Sequence, residues 1–337
     1  MRVPFCRPLL TSLVFSVWAA SLGAADSPAP AVPPPAYSRS VAPTPAGSVT
    51  APVLNAAKSS PPAGVQSSPP KPVDDAVQAE IAARATPELK KLVSRQDALL
   101  ALLGKDDADQ DNVKRDIQAL IFDYDGFLRT FPNFAPGYVP YGLLLSKVGM
   151  RRESTAMLLK ANQLDPDIPI VKNQLGNYLA EEGEPVEASN YFIAAIRLAP
   201  DEPLYHYQLG TLLAEARDDF LKSGQWTREQ LDRAMQQAFK RAAELAPKNF
   251  AFAYRYAQSF YDLAEPNWDE ALRVWGELEA QVSPGVEMET IRLHVANILI
   301  RQKKFDHARL LLGTVTAEQL NAQKQKLLDQ LPANPEK

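Results

Sequence analysis

Few residues in this chain are of types that do chemistry, and their spacing does not favour catalysis. There are three histidines, His206, His294 and His307, and one cysteine, Cys6. No two histidines stand four apart, the spacing that puts two imidazoles on one helix face for a metal. In helical register His294 falls midway along one helix and His307 near the start of the next, so they need not face each other. Surface or packing roles are expected of all three. Asp107, Asp109 and Asp111 alternate as the oxygen ligands of a calcium loop would, and Asn112 could make its turn. The twelfth place, however, is Gln118, where such a loop needs a bidentate glutamate. The expectation is an acidic interhelical loop that helps the next helix N-terminus. The sequence offers no glycine-rich phosphate loop, no G-x-S-x-G and no serine–histidine arrangement. No metal, cofactor or catalytic residue is therefore expected.

Charge and the N-terminus narrow the classes further. The chain has 337 residues, with 36 basic and 40 acidic side chains, a net charge of −4. A mildly acidic chain without a basic run is a poor ligand for nucleic acid, whose affinity rests on Lys and Arg at phosphates. Arg2 and Arg7 precede an uncharged run from Leu9 to Ala20 and then small residues, the order of a secretory signal peptide. A cut after Ala25 would remove Cys6 and leave a chain without thiol chemistry. The chain would meet the membrane only if this segment stayed as an anchor. From Asp26 to Pro72 there is one aromatic residue, Tyr37, among Pro, Ala and Ser. So little apolar surface cannot offset the entropy of folding, which predicts a disordered tether. An exported protein of a bacterial periplasm or envelope is the expectation.

The remainder is organised by a repeat. Pro132, Pro166 and Pro200 stand 34 residues apart, as do Gly142, Gly176 and Gly210. Pro247 takes the same place one unit later, displaced by an insertion of 13 residues. Apolar residues at spacings of three and four mark two amphipathic helices per unit. Gly149 and Gly183 sit between the helices, where a C-terminus favours positive φ, and Pro185 suits the next first turn. Gly or Ala at the crossing lets two helix backbones approach, and a bulky residue of the second helix, such as Phe192 or Phe239, fills the neighbouring groove. Each closing proline stops a second helix. One hairpin cannot bury both faces, so the units must stack.

This pattern resembles the tetratricopeptide repeat (TPR) family, closely over 135–168 and 169–202 and after an insertion, roughly Arg217–Leu231, over 203–249. Two looser units, about 250–285 and 286–316, have Ala257 and Ala296 at the first glycine. Within 73–134, Asp116–Pro132 is similar to the second helix of a degenerate unit, with its first helix near Glu88–Leu103. Residues 317–337 should form a capping helix and tail. The resemblance implies an all-α, right-handed superhelical solenoid whose first helices line a concave groove. It further implies that Asn173 and Asn177, Tyr207 and Thr211, Tyr254, Gln258 and Tyr261, and Asn297 and Arg301 point into that groove and hold a protein or peptide partner. Carboxamides can pair with a peptide backbone, and tyrosine offers contact area with a polar tip. Because these side chains should point away from the core, their loss is expected to weaken binding with little change in melting. The function expected is a scaffold or assembly factor. The alternative is an envelope hydrolase or transferase with a site in the insertion 217–231, using Asp218, Asp219 and Glu229. For a binder, that insertion should be dispensable.

Overall fold

The computed structural model describes residues 75–332. Residues 1–74, where the leader and tether are expected, lie outside the described residues. Every regular element described is helical. The chain runs through α1 (Asp75–Leu102), α2 (Gln110–Thr130), α3 (Ala135–Lys147), α4 (Arg151–Leu164), α5 (Pro169–Glu182), α6 (Pro185–Leu198), α7 (Pro203–Glu215), α8 (Arg217–Lys222) and α9 (Arg228–Leu245). It continues through α10 (Phe250–Ser259), α11 (Trp268–Glu279), α12 (Val286–Arg301), α13 (Phe305–Gly313) and α14 (Asn321–Leu328). Sequential helices pack as hairpins, α1 on α2, α3 on α4, α5 on α6, α7 on α9, α10 on α11 and α12 on α13. Each second helix also packs on the following first helix. This is an all-α solenoid of the TPR type.

The glycines show why the 34-residue period holds. A Cβ on Gly142 would come within 2.9 Å of Leu158 Cγ, and one on Gly176 within 3.0 Å of Phe192. On Gly210 it would stand 2.9 Å from two ring carbons of Phe239. Only a residue without Cβ lets each pair of helices cross so closely. Leu158 and Phe192 lie 16 residues after their glycines, and Phe239 lies 29 after its own. The insertion therefore lengthens the loop and the start of the helix while keeping the crossing. At the turns Gly149 and Gly183 take φ of 82° and 86°, the left-handed conformation anticipated between helices.

The insertion forms α8 and the first turn of α9. Thr227 and Gln230 make the reciprocal capping box that their spacing predicts. Its apolar residues enter the core, however. Phe220 is fully buried, Trp226 nearly so, and their rings meet edge to face at 5.9 Å. Both belong with Leu231 to the central cluster that includes Phe239 and Trp275. Removal of the insertion would therefore leave a hole in that cluster.

At the N-terminal end α1 starts well before Glu88 and runs through Pro87. Proline costs the helix one backbone bond, but Ile81, Ala82 and the buried Ala85 pack into the same cluster as Tyr124 and Leu145. Tertiary contact outweighs the local stop signal. At the C-terminal end α14 tucks Leu327 against Leu293, Ala296 and Leu312. Glu289 on α12 secures that approach by accepting from Thr316 N and Ala317 N, both at 2.7 Å. Among the described residues no helix is long and apolar enough to cross a membrane.

Candidate partner-binding face

Numbered within each unit, the first helix has its crossing glycine or alanine at position eight, and positions five and nine flank it on another face. On α5 these positions are Asn173 and Asn177, and on α7 Tyr207 and Thr211. Asn173 and Asn177 lie one turn apart and are both buried, 3% and 5% exposed. Neither amide oxygen finds a donor. Asn177 reaches Gln174 Oε1 through its Nδ2 at a long 3.5 Å. A buried acceptor left without a donor costs about 1–3 kcal/mol. Gln208, at the sixth place of α7, is likewise buried with both amide atoms unpartnered.

Tyr207 is half-buried and packs its ring on Phe252 at 4.9 Å and edge-on to Phe239 at 5.8 Å. Burial raises its hydroxyl pKa, with the Arg255 guanidinium pulling the other way. Thr211 donates to the Tyr207 carbonyl at 2.9 Å.

The other five sequence-derived residues converge on one place in the last two units. Tyr254 sets its ring at 5.3 Å to Trp275, nearly perpendicular, and its hydroxyl lies 2.9 Å from His294 Nε2. Tyr261 donates to the His294 carbonyl at 3.0 Å and packs against Trp268. Gln258 bonds the Tyr254 hydroxyl and Asn297 the Tyr261 hydroxyl, each opposing the rise in pKa that burial imposes. Arg301 is exposed and holds its guanidinium 5.2 Å above Trp268 and 5.7 Å above Tyr261. At the centre His294 stacks flat on the fully buried Trp275, with ring centroids 4.3 Å apart and planes within 6°. Burial lowers its pKa to about 4, so the ring is neutral at ordinary pH.

These contacts correct the expectation that the groove residues stand clear of the core. Asn173, Asn177, Thr211 and Asn297 are buried outright, and Tyr207, Tyr254 and Tyr261 are half inside the core, so alanine at the tyrosines must lower melting. His294 was missed as a centre of organisation. The signal was in the register, since His294 lies two places before Ala296, as Gln174, Gln208 and Arg255 lie two places before Gly176, Gly210 and Ala257. Arg255 lies 4.3 Å over Phe239 of the preceding second helix, and His294 lies on Trp275 of its own preceding second helix. In these two units the residue at that register stacks on an aromatic ring of the preceding unit.

The candidates for chemistry fall differently. Asp109 caps α2, its Oδ1 accepting from Asp111 N and Asn112 N at 3.1 Å. The acidic loop serves the helix N-terminus as anticipated, and Gln118 lies well inside α2. Among the described residues no group of three or more His, Cys, Asp or Glu is placed to hold a metal. His206 sets Nε2 2.8 Å from the Pro200 carbonyl at the end of a second helix. In the insertion Asp218 and Asp219 are exposed, and Glu229 pairs with Arg233 on the surface. The buried acid nearby is Asp232, held by Arg228 at 2.8 Å and by Ala264 N at 2.7 Å. Arg228 in turn donates to the Asp262 carbonyl, tying the insertion to the following unit.

No family model matches the chain, and no curated protein does. Among solved structures it is similar to YrrB, described as a TPR protein with an unusual peptide-binding site, at 20% identity and a TM-score of 0.46 over 63% of this chain and 93% of that one. The C-terminal part of a TPR repeat-containing protein from Cytophaga hutchinsonii shares 15% identity at a TM-score of 0.48, over 74% of this chain and 99% of that one. PilW, a type IV pilus biogenesis factor, shares 15% at 0.43, over 64% of this chain and 92% of that one. The assignment of the fold rests on this chain's own helix pairing and glycine crossings.

Proposed function

We propose that this TPR-type solenoid is an interaction scaffold or assembly factor that holds a partner polypeptide along the face formed by its first helices. The observation that carries the reading is the pair Asn173 and Asn177, whose buried amide oxygens have no donor within the fold. Rotation about χ2 of an asparagine is soft, so either oxygen can turn toward a partner's backbone N–H and recover the cost it bears in the free chain. An extended polypeptide supplies such donors at regular intervals. The basic charges that would capture a terminal carboxylate are absent from the positions beside them, where Val139, Leu143, Tyr207 and Thr211 stand. The leader-like N-terminal sequence and the Pro/Ala/Ser-rich segment after it support a bacterial periplasm or envelope as the scaffold's location in this reading, with membrane anchoring only if the leader is retained.

The test uses the exposed residues at the far end of the same helix faces. A photo-crosslinking residue at Glu181 or Glu215, one unit apart, should yield a discrete partner adduct in the exporting cell. The same residue at Arg197 on a second helix, or at the half-buried Lys160, should not. Adducts only from Lys160 and Arg197 would place the partner on the second helices and remove Asn173 and Asn177 from the site.

A further inference from the structure

The apolar core of the described residues is divided. One cluster runs from Ala85 to Tyr178, through α1–α5, and a second from Ala188 to Ile298, through α6–α12. The boundary falls inside the α5–α6 hairpin. Val171, Leu175 and Tyr178 of α5 belong to the first cluster, and Ala188 and Phe192 of α6 to the second. The side chains that cross over, Leu179 and Ala180 of α5 and Tyr191 of α6, are half-buried. The hairpin itself is tight, with Phe192 against Gly176, so it can act as a link that stays closed while its neighbours move.

Helices α5–α7 also hold six of the twelve buried polar or charged side chains among the described residues: Asn173, Gln174, Asn177, Ser189, Gln208 and Thr211. Burying them adds little apolar area. The amide oxygens of Asn173 and Asn177 and both amide atoms of Gln208 make no hydrogen bond within the fold. On either side the helices are tied by stronger links. Tyr141 stacks on Tyr124 at 5.0 Å and donates to Asp125 at 2.8 Å, and Ser154 lies 2.7 Å from the Tyr178 hydroxyl. Further along, Arg228 donates to the Asp262 carbonyl at 2.7 Å, Asp232 accepts from Ala264 N, and Arg255 pairs with Asp262. In a helical array the hairpins act together only as far as the contacts between neighbours bind them. Cooperation should fail where the apolar cluster changes and the buried groups are polar.

We propose that the array consists of two cooperative units, α1–α4 and α7–α11, which open independently on either side of the α5–α6 hairpin. Each unit keeps its own buried cluster when the other is lost, the condition for opening in separate steps. The face assigned to the partner spans this hinge, since Asn173 and Asn177 lie on α5 and Tyr207 and Thr211 on α7. A partner held there would bridge the two units and fix the angle between them. That consequence rests on the proposed partner face, whereas the division into units is a property of the free chain and is tested without a partner.

Amide hydrogen exchange of the whole chain, under conditions where its rate follows the opening equilibrium, tests the division. Leu120→Ala empties a fully buried place in the first cluster. It should lower protection in α1–α4 by about thirtyfold or more and leave α7–α11 unchanged within about twofold. Trp226→Ala, in the second cluster, should do the reverse. If Leu120→Ala unfolds the first unit outright, α7–α11 should still be protected, and a chain unfolded throughout would overturn the proposal. The step between affected and unaffected helices should fall within the α5–α6 hairpin. A loss shared equally by both units, or one that fades gradually from α2 to α9, equally overturns it.

Discussion

Adding one methyl group at Gly210 tests the repeat packing quantitatively. A Cβ there would lie 2.9 Å from Phe239 Cδ1 and Cε1 and 3.1 Å from Cγ. Carbon atoms rest at about 3.5–4.0 Å, so the ring or the helix must yield by about half an ångström or more. The ring has little room to retreat. Phe239 is fully buried, with Tyr207 edge-on at 5.8 Å and the Arg255 guanidinium over it at 4.3 Å. Overpacking of this kind costs about 1–3 kcal/mol. Against it stands a gain of up to about 1 kcal/mol from replacing glycine by alanine in a helix interior. Gly210→Ala should therefore be net destabilising by about 1–2 kcal/mol. Gly276, exposed on α11 with no atom within 4 Å of its would-be Cβ, supplies the control. Gly276→Ala receives the helix gain without the clash and should stabilise by about 0.5–1 kcal/mol. The two variants should move the denaturant midpoint, read by circular dichroism, in opposite directions. Shifts of the same sign and size would mean that the crossing is loose and that the 34-residue period does not arise from close helix approach.

Other perturbations probe separate parts of the molecule. Trp226→Ala should cost about 3–5 kcal/mol, read as the loss in denaturant midpoint, whereas Asp218→Asn and Asp219→Asn on the exposed side of the insertion should stay within about 0.5 kcal/mol. Asp232→Ala should cost about 3–5 kcal/mol in the same assay, since it leaves Arg228 without its buried partner and Ala264 N without an acceptor. Asp109→Ala should cost about 1 kcal/mol through loss of the α2 cap, with the same melting shift in calcium and in chelator; a calcium-dependent shift would restore the metal reading. Asn173→Ala and Asn177→Ala should leave melting unchanged or slightly raised, because each removes an acceptor that has no donor, and should weaken the crosslinked partner's binding by about 1–3 kcal/mol in calorimetry. Normal partner affinity in both asparagine variants would take them out of the site.

How much of this was legible in the chain alone depends on the distance over which each feature is encoded. Prolines every 34 residues and glycines at the same interval state a local rule, that a helix stops here and another crosses close there. The structure obeys it at Gly142, Gly176 and Gly210, and the capping box at Thr227 is likewise a matter of three residues. The acidic loop as a helix cap belongs to the same class. Helical periodicity also tells which residues share a face, so Asn173 and Asn177 could be paired from spacing. It does not tell how much of that face the next unit covers. Coverage depends on the rotation between successive hairpins, which no single period contains. Tertiary structure therefore decided that Tyr254 and Tyr261 turn inward to a buried histidine, and that the insertion fills the core with Phe220 and Trp226. It decided the fate of Pro87 as well, because contacts from Ala85 outweigh a single missing hydrogen bond. The place two residues before the crossing glycine or alanine lies on the border between the two kinds of information. Its polar residues are visible in sequence, but an arginine or histidine becomes a joint only when an aromatic ring of the preceding unit is brought beneath it.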